Sequence, residues 1–327
     1  METPKTLQEA IQYFTDEQVC IDAVAIMRWP DGPECPDCIG EHKRNPYYIR
    51  TQKRWKCRWC RRQFSVKLGT IFEDSPITLQ KWLPALWMLC NDKNGISSWE
   101  IHRALGVTQK TAWFMLHRLR LALQDGFGKM PSDGGPVEVD ETFIGGKARN
   151  MHKDRRDRVA AQLTGGKGKT IVIGMVQRGG KVKAQVIEKR WKEQMQGFVR
   201  DGVEPGATVM TDEARMYLGL KDEYVHEIIN HMESYVRGHV STNGIENFWS
   251  LLKRGLGGTY VSVEPFHLFR YLDEQMFRYN NRATRDNPLN DSDRFVAALA
   301  QVAGKRLTYK ELTGKTDDAT TPATEPF

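Results

Sequence analysis

Apolar positions fall into two regimes along the chain, helical up to about residue 124 and extended beyond it. Leu7, Ala10, Ile11 and Phe14, then Val19, Ile21, Val24 and Ile26, predict one or two short amphipathic helices within 1–30. Trp82, Leu86, Leu89 and Cys90 recur at helical spacing and start another helix near Thr78. In GISSWEIHRALGVTQKTAWFMLHRLRLALQ, residues 95–124, Ser97 and Glu100 stand at capping-box spacing, Gly106 breaks the first helix and Thr108 can cap a second. Two helices joined by a tight turn follow from that text.

The stretch DGFGKMPSDGG, 125–135, concentrates Gly, Pro, Ser and Asp and marks the main boundary. After it the pattern predicts strands at Val137–Gly145, Thr170–Arg178 and Lys181–Lys189, and a helix near Trp191–Arg200. Strands at Ala207–Asp212 and Tyr224–Ile229 follow, and helical spacing resumes near Ile245 and over Glu264–Asn281. Adjacent strands followed by alternating helices and strands give an α/β domain with a mixed sheet and flanking helices. The division expected is a helical segment at 1–30, a cysteine ribbon at 31–69, a helix-turn-helix region at 70–130, an α/β domain of catalytic size at 131–312 and a polar, disordered tail at 313–327.

Charge narrows the partners. Lys and Arg number 48 against 41 Asp and Glu, a formal +7, and the cations cluster at Lys43–Arg62, Lys147–Lys169 and Lys253–Arg254. That balance favours polyanions, although solubility alone also produces basic proteins. No run of about 18 apolar residues exists, and the first twenty residues lack a secretory pattern, so a soluble, cytoplasmic protein with no membrane partner is expected.

Four of six cysteines form Cys35-x2-Cys38 and Cys57-x2-Cys60, separated by 18 residues. Two such knuckles joined by a hairpin supply four thiolates to a tetrahedral, closed and therefore structural Zn²⁺ site. Arg58, Arg61 and Arg62 lie beside the pairs, with Trp55 and Trp59 available either to stack on nucleic acid or to form the ribbon's small core. In the second helix of the pair, Ala112, Leu116, Leu119 and Leu123 make a buried stripe. That leaves Gln109, Lys110, Trp113, His117, Arg118 and Arg120 to face outward, as on a recognition helix; a plain helical packing unit is the other reading.

Three carboxylates stand where phosphodiester chemistry could use them. Asp140 in VEVDETFIGG alternates with Val137 and Val139 and shares its face with Glu138, so its neighbour Glu141 points the other way. Asp212 follows the apolar strand ATVMT. Glu246 opens a helix in STNGIENFWSLLKRGLGG, with Lys253 nearly two turns further on the same face. Such an oxygen cluster suits two Mg²⁺ about 4 Å apart with a cation for the phosphate. Read by spacing alone, Asn243 with Glu246 is equally a capping box, and Asp at a strand end is ordinary.

Taken in order behind the ribbon, VEVDETFIGGK, VMTDEARMY and HVSTNGIENFWSLLKRGLGGTY resemble the transposases of bacterial insertion sequences of the ISXO type, from Cys35 to FRYNNR at 277–282. The resemblance implies an RNase H-like fold and a DDE-type site of Asp140, Asp212 and Glu246 with Lys253. It also implies Mg²⁺ or Mn²⁺ as catalytic ions and transposition of DNA by cutting element ends and joining them to a target. DNA contacts are expected from the ribbon arginines, from Gln109, Lys110, His117 and Arg118, from the basic segment bearing Lys147, Arg149, Arg155, Arg156, Arg158, Lys167 and Lys169, and from Arg254. Homo-oligomers assembled on DNA and a bacterial, nucleoid-associated location go with that expectation. A catalytically inactive DNA-binding regulator and a stand-alone RNase H-like nuclease are the competing readings.

Overall fold

The computed structural model describes residues 4–124, 126, 128–145, 169–212, 215–229, 242–285 and 287–314. The chain divides into two compact units. One holds the residues up to Gln124 together with those from Asn281 onward, and the other runs over Asp125–Asn280.

In the first unit, α1 (Leu7–Tyr13) and α2 (Glu17–Arg28) precede a three-stranded antiparallel ribbon of β1 (Tyr47–Ile49), β2 (Arg54–Lys56) and β3 (Gln63–Phe64). The centre of this unit is α3 (Leu79–Asn91), which buries Leu79, Trp82, Leu83, Leu86, Trp87 and Leu89. A helix apolar on nearly every side must be surrounded, and α1, α2, α4 (Ser98–Leu105) and α5 (Gln109–Ala122) all pack on it. Ser97 and Glu100 form the reciprocal capping box read from the sequence, and α5 starts at Thr108, whose side chain accepts from the Thr111 N–H. Residues 281–312, which the linear division put in the α/β domain, cluster here instead. The reason is an aromatic contact: in the helix Asp291–Leu299, Phe295 packs 5.3 Å from both Phe14 and Trp87.

The second unit is a three-layer α/β arrangement. Strands β4 (Val137–Ile144), β5 (Thr170–Gln177), β6 (Val182–Ile187), β7 (Thr208–Asp212) and β8 (Val225–Ile229) form one sheet in the order β6-β5-β4-β7-β8. The first three pair antiparallel, while β4–β7 and β7–β8 pair parallel. In local strand numbers this is 3-2-1-4-5 with the second strand reversed, the sheet of an RNase H-like domain. Strand β5 is buried on both faces, and its sequence TIVIGMVQ is correspondingly apolar throughout.

Alternation sorts the two layers. Val137 and Val139 join Ile171, Ile173, Met175 and Val209 under α6 (Lys192–Gly202), which contributes Met195, Phe198 and Val199. Val172, Val176, Val182 and Ala184 face the other way, under α7 (Asn243–Gly258) and α8 (Leu268–Asn280). That second face also carries Glu138 and Asp140. No described helix is long and apolar enough to cross a membrane.

Candidate active site and metal centre

Asp140 sits in mid-strand on β4, directly opposite Gly174 of β5. The gap left by the missing side chain is filled by the Trp249 ring of α7, since a Cβ on Gly174 would lie 2.6 Å from Trp249 Cη2 and 3.1 Å from Ile245 Cδ1. Only glycine allows so close an approach. From there the Trp249 indole N–H donates to Asp140 Oδ2 at 3.0 Å.

Strand β7 runs parallel beside β4, with Val137 opposite Val209 and Glu138 opposite Met210. Asp140 is two residues beyond Glu138, and Asp212 is two residues beyond Met210 and ends β7. Neighbouring strands stand about 4.8 Å apart, and the β4–β7 pairing stops two residues short of both acids, so the register carried on would bring their backbone positions alongside.

A third acid arrives on a helix fastened to the same strand. Glu138, 1 % exposed, accepts hydrogen bonds from the backbone N–H groups of Gly244 (2.7 Å) and Ile245 (3.1 Å), and from Arg178 Nε (2.8 Å). A carboxylate at the positive end of α7 satisfies N–H groups that have no partner within the helix. Gly244 makes room for it, because a Cβ there would sit 2.8 Å from Glu138 Oε2. The N-cap of α7 is Thr242 rather than Asn243, and no side-chain cap bond forms, so the capping-box reading of Asn243 with Glu246 does not hold. Glu246 is exposed in the first turn and accepts from the Thr242 hydroxyl at 3.1 Å.

Lys253 is exposed two turns further along α7 and lines a cavity of about 540 Å³ with Phe143, Gly145, Thr170, Val263 and Leu268. Its neighbour Arg254 is also exposed, and Lys169 is half-buried just before β5. Glu141 points to the opposite face from Asp140, where it pairs with Arg190 and accepts from the Tyr217 hydroxyl at 2.9 Å. Lys147, Arg149, Arg155, Arg156, Arg158, Lys167 and Glu213 lie outside the described residues.

The ribbon brings its four cysteines together, with ligand atoms all within 4.8 Å of one another. Cys35 and Cys60 sulfurs are 3.6 Å apart, and those of Cys38 and Cys57 are 3.7 Å apart. Thiolates bound tetrahedrally to zinc at about 2.3 Å stand about 3.8 Å from each other, so this set fits a Zn²⁺ ion. Burial opposes ionisation of Cys57, but backbone N–H groups of Cys60 and Trp59 outweigh it and pull the thiol down to about 7. The two tryptophans divide the roles left open between them. Trp55 is core, packed on Trp29 and Tyr48, whereas Trp59 is 64 % exposed and packs at a tilt against His42. Arg58 donates to the Asn45 carbonyl over the Tyr47 ring, and Arg62 pairs with Asp37. Arg61 is exposed.

On α5 the expected outward face is corrected. The stripe of Ala112, Leu116, Leu119 and Leu123 is buried as read, but so are His117, Arg118 and Arg120, each under 5 % exposed. Arg118 donates to the carbonyls of Leu307 (2.9 Å) and Glu73 (2.7 Å), and burial lowers its pKa. Residues near 307, far along the chain, close over this side of the helix, which local periodicity could not reveal. Gln109 is half-buried and bonds Ser98; Lys110 is exposed beside the Tyr309 ring.

Comparison with known proteins bears on both sites. Residues 133–280 match the ISXO2-like transposase domain, and residues 15–63 match the transposase zinc-ribbon domain. The two matches enclose the α/β sheet with α7 and the four cysteines. The chain carries an ISXO2-like transposase domain behind a transposase zinc ribbon. An uncharacterized protein in the transposable element ISH50 of Halobacterium salinarum is 28 % identical over 281 residues, covering 82 % of this chain and 94 % of that protein. A chain in the simian T-cell lymphotropic virus intasome complex with PP2A regulatory subunit B56 gamma has a TM-score of 0.30 and 14 % identity, covering 62 % of this chain and 69 % of its own. A likeness that faint has no bearing on the fold.

Sequence reasoning singled out Asp140 and Glu246 but not the residues that hold them in the fold, Glu138, Gly174, Gly244 and Trp249. Two signals were present: a glycine inside the apolar run TIVIGMVQ, and an acid two places before Asp140 on its own face.

Proposed function

We propose that this transposase cuts element ends and joins them to target DNA through a DDE-type site of Asp140, Asp212 and Glu246 that holds two Mg²⁺ or Mn²⁺ ions. The observation that supports it best is the parallel pairing of β4 and β7 at Glu138 and Met210, two residues before Asp140 and Asp212, beside a helix anchored on Glu138 that carries Glu246. An all-oxygen carboxylate set suits hard divalent cations. When bound, such ions supply an activated attacking oxygen and charge neutralisation at the scissile phosphate.

The residues of the chain then do the positioning. The three carboxylates aim the site from one rigid sheet and one fixed helix, and Lys253 holds a neighbouring phosphate. Cys35, Cys38, Cys57 and Cys60 bind structural Zn²⁺, keeping the ribbon folded with Arg58, Arg61 and Arg62 toward DNA. Gln109, Lys110, Lys169 and Arg254 add DNA contacts, as does the basic segment from Lys147 to Lys167 by its charge. His117 and Arg118 are not among them. Chains act together on paired element ends.

Incubation with labelled element-end DNA, a target plasmid and Mg²⁺ tests this reading. End cleavage followed by joined product supports it. Binding without either reaction points to a regulator, and cleavage without joining to a nuclease.

A further inference from the structure

We propose that Trp249 is a positioning residue for the metal-dependent reaction, orienting Asp140 through its indole N–H and, with Glu138, locking α7 in place; this rests on the DDE reading above. Trp249 is 4 % exposed, and a buried indole N–H needs an acceptor. The residues beneath its ring, Asp140 and Gly174, stand opposite one another across β4 and β5. The acceptor is the Asp140 side chain, at 3.0 Å.

The bond acts on both partners. A carboxylate has about four acceptor positions, and the donor on Oδ2 uses one of them while restraining the group's rotation. The same bond fixes the helix. Glu138 grips α7 at Gly244 and Ile245, and Trp249 grips it again four to five residues later. At 1.5 Å per residue the two anchors are about 7 Å apart along the axis. The buried apolar face of α7 already holds it on the sheet, and these two polar anchors add specific fixed points along its axis. Glu246, three residues before Trp249, therefore keeps a fixed place relative to Asp140. The packing is arranged for this contact, since Gly174 gives up its side chain to let the ring reach the strand. Donors that orient metal-binding carboxylates typically contribute about 10-fold to 100-fold in metal affinity or activity.

The test compares Trp249→Phe with wild type and Asp140→Asn in the full chain. Mn²⁺ is titrated calorimetrically, and the Mg²⁺ concentration giving half-maximal strand transfer is measured beside it. Phenylalanine keeps most of the packing and loses the donor. Mn²⁺ affinity is expected to fall at least about tenfold, with the Mg²⁺ requirement rising in step and DNA-end binding unchanged. Glu138→Gln keeps an acceptor for the two helix N–H groups, so it should retain more metal affinity than Trp249→Phe. In wild type, the indole ¹H–¹⁵N resonance that Trp249→Phe removes should move on adding Mg²⁺, a readout independent of activity; assignment through Trp249→Tyr serves if the phenylalanine variant does not fold. Unchanged Mn²⁺ affinity in a folded Trp249→Phe protein, or an indole resonance indifferent to Mg²⁺, overturns the proposal. If Asp140→Asn itself keeps full metal-dependent joining, the DDE reading has failed first. If only Trp249→Phe behaves as wild type, that reading stands and this one falls.

Discussion

Trp249 and Asp140 are 109 positions apart in sequence, yet the indole Nε1 of one donates to Oδ2 of the other at 3.0 Å. The contact exists because Gly174, across the ladder from Asp140, has no side chain to hold the ring away. A backbone detail of β5 thus reaches the acidic face through α7.

Gly174→Ala should therefore be costly although alanine suits a strand no worse than glycine. Its Cβ would meet the Trp249 ring at 2.6 Å, and overpacking of this kind costs about 1 to 3 kcal/mol. Gly257→Ala, on the same α7 helix with nothing within 4 Å of the added carbon, should be neutral or slightly stabilising. Urea unfolding of both variants checks the contrast. Equal stability of the two would mean that α7 does not press on β5 as described.

Removal of zinc should unfold the ribbon and leave the α/β unit standing. The ribbon's strands are two or three residues long and its aromatic core is small, so metal ligation must supply much of its stability. One zinc per chain is expected by metal analysis. Cys35→Ser with Cys57→Ser should abolish it and weaken DNA binding, while the second unit's melting transition is retained. Zinc persisting in that double variant would contradict the assignment.

Glu141 gives the opposite kind of test from its neighbour. It is held by Arg190 and Tyr217 on the α6 side of the sheet. Glu141→Gln should lower stability by about 1 to 2 kcal/mol, allowing for solvent screening at the partly exposed Arg190, and should keep metal-dependent joining per folded molecule. Loss of joining in a stably folded Glu141→Gln protein would place Glu141, not Asp140, at the reaction.

The sequence carried the strands of the α/β unit almost to the residue, because each is an apolar or alternating run bounded by glycine, proline or charge. Val137–Gly145 became Val137–Ile144, and Ala207–Asp212 became Thr208–Asp212. The opposite faces of Asp140 and Glu141 were legible for the same reason, since alternation assigns faces without any knowledge of the fold. The exposure of α5 was not legible. His117 and Arg118 occupy positions that helical period leaves outside, yet both are buried, Arg118 by donating to Leu307, 189 positions later. The supports of Asp140 and Glu246 were hidden likewise, because Glu138 and Trp249 acquire their roles only when α7 docks on β4.

The central claim is that Asp140, Asp212 and Glu246 act as one metal-holding set, and the most direct measurement is joining of a labelled 3′-hydroxyl end to plasmid DNA in Mg²⁺ by Asp140→Asn, Asp212→Asn and Glu246→Gln. Each amide keeps the side chain's shape and removes a charge that hard cations require. Several kcal/mol of metal stabilisation in the transition state corresponds to a loss on the order of a thousandfold or more. The account predicts that all three variants lose joining to that degree while binding end DNA and melting close to wild type. Joining near the wild-type rate by any one of them, Asp212→Asn above all, would contradict it.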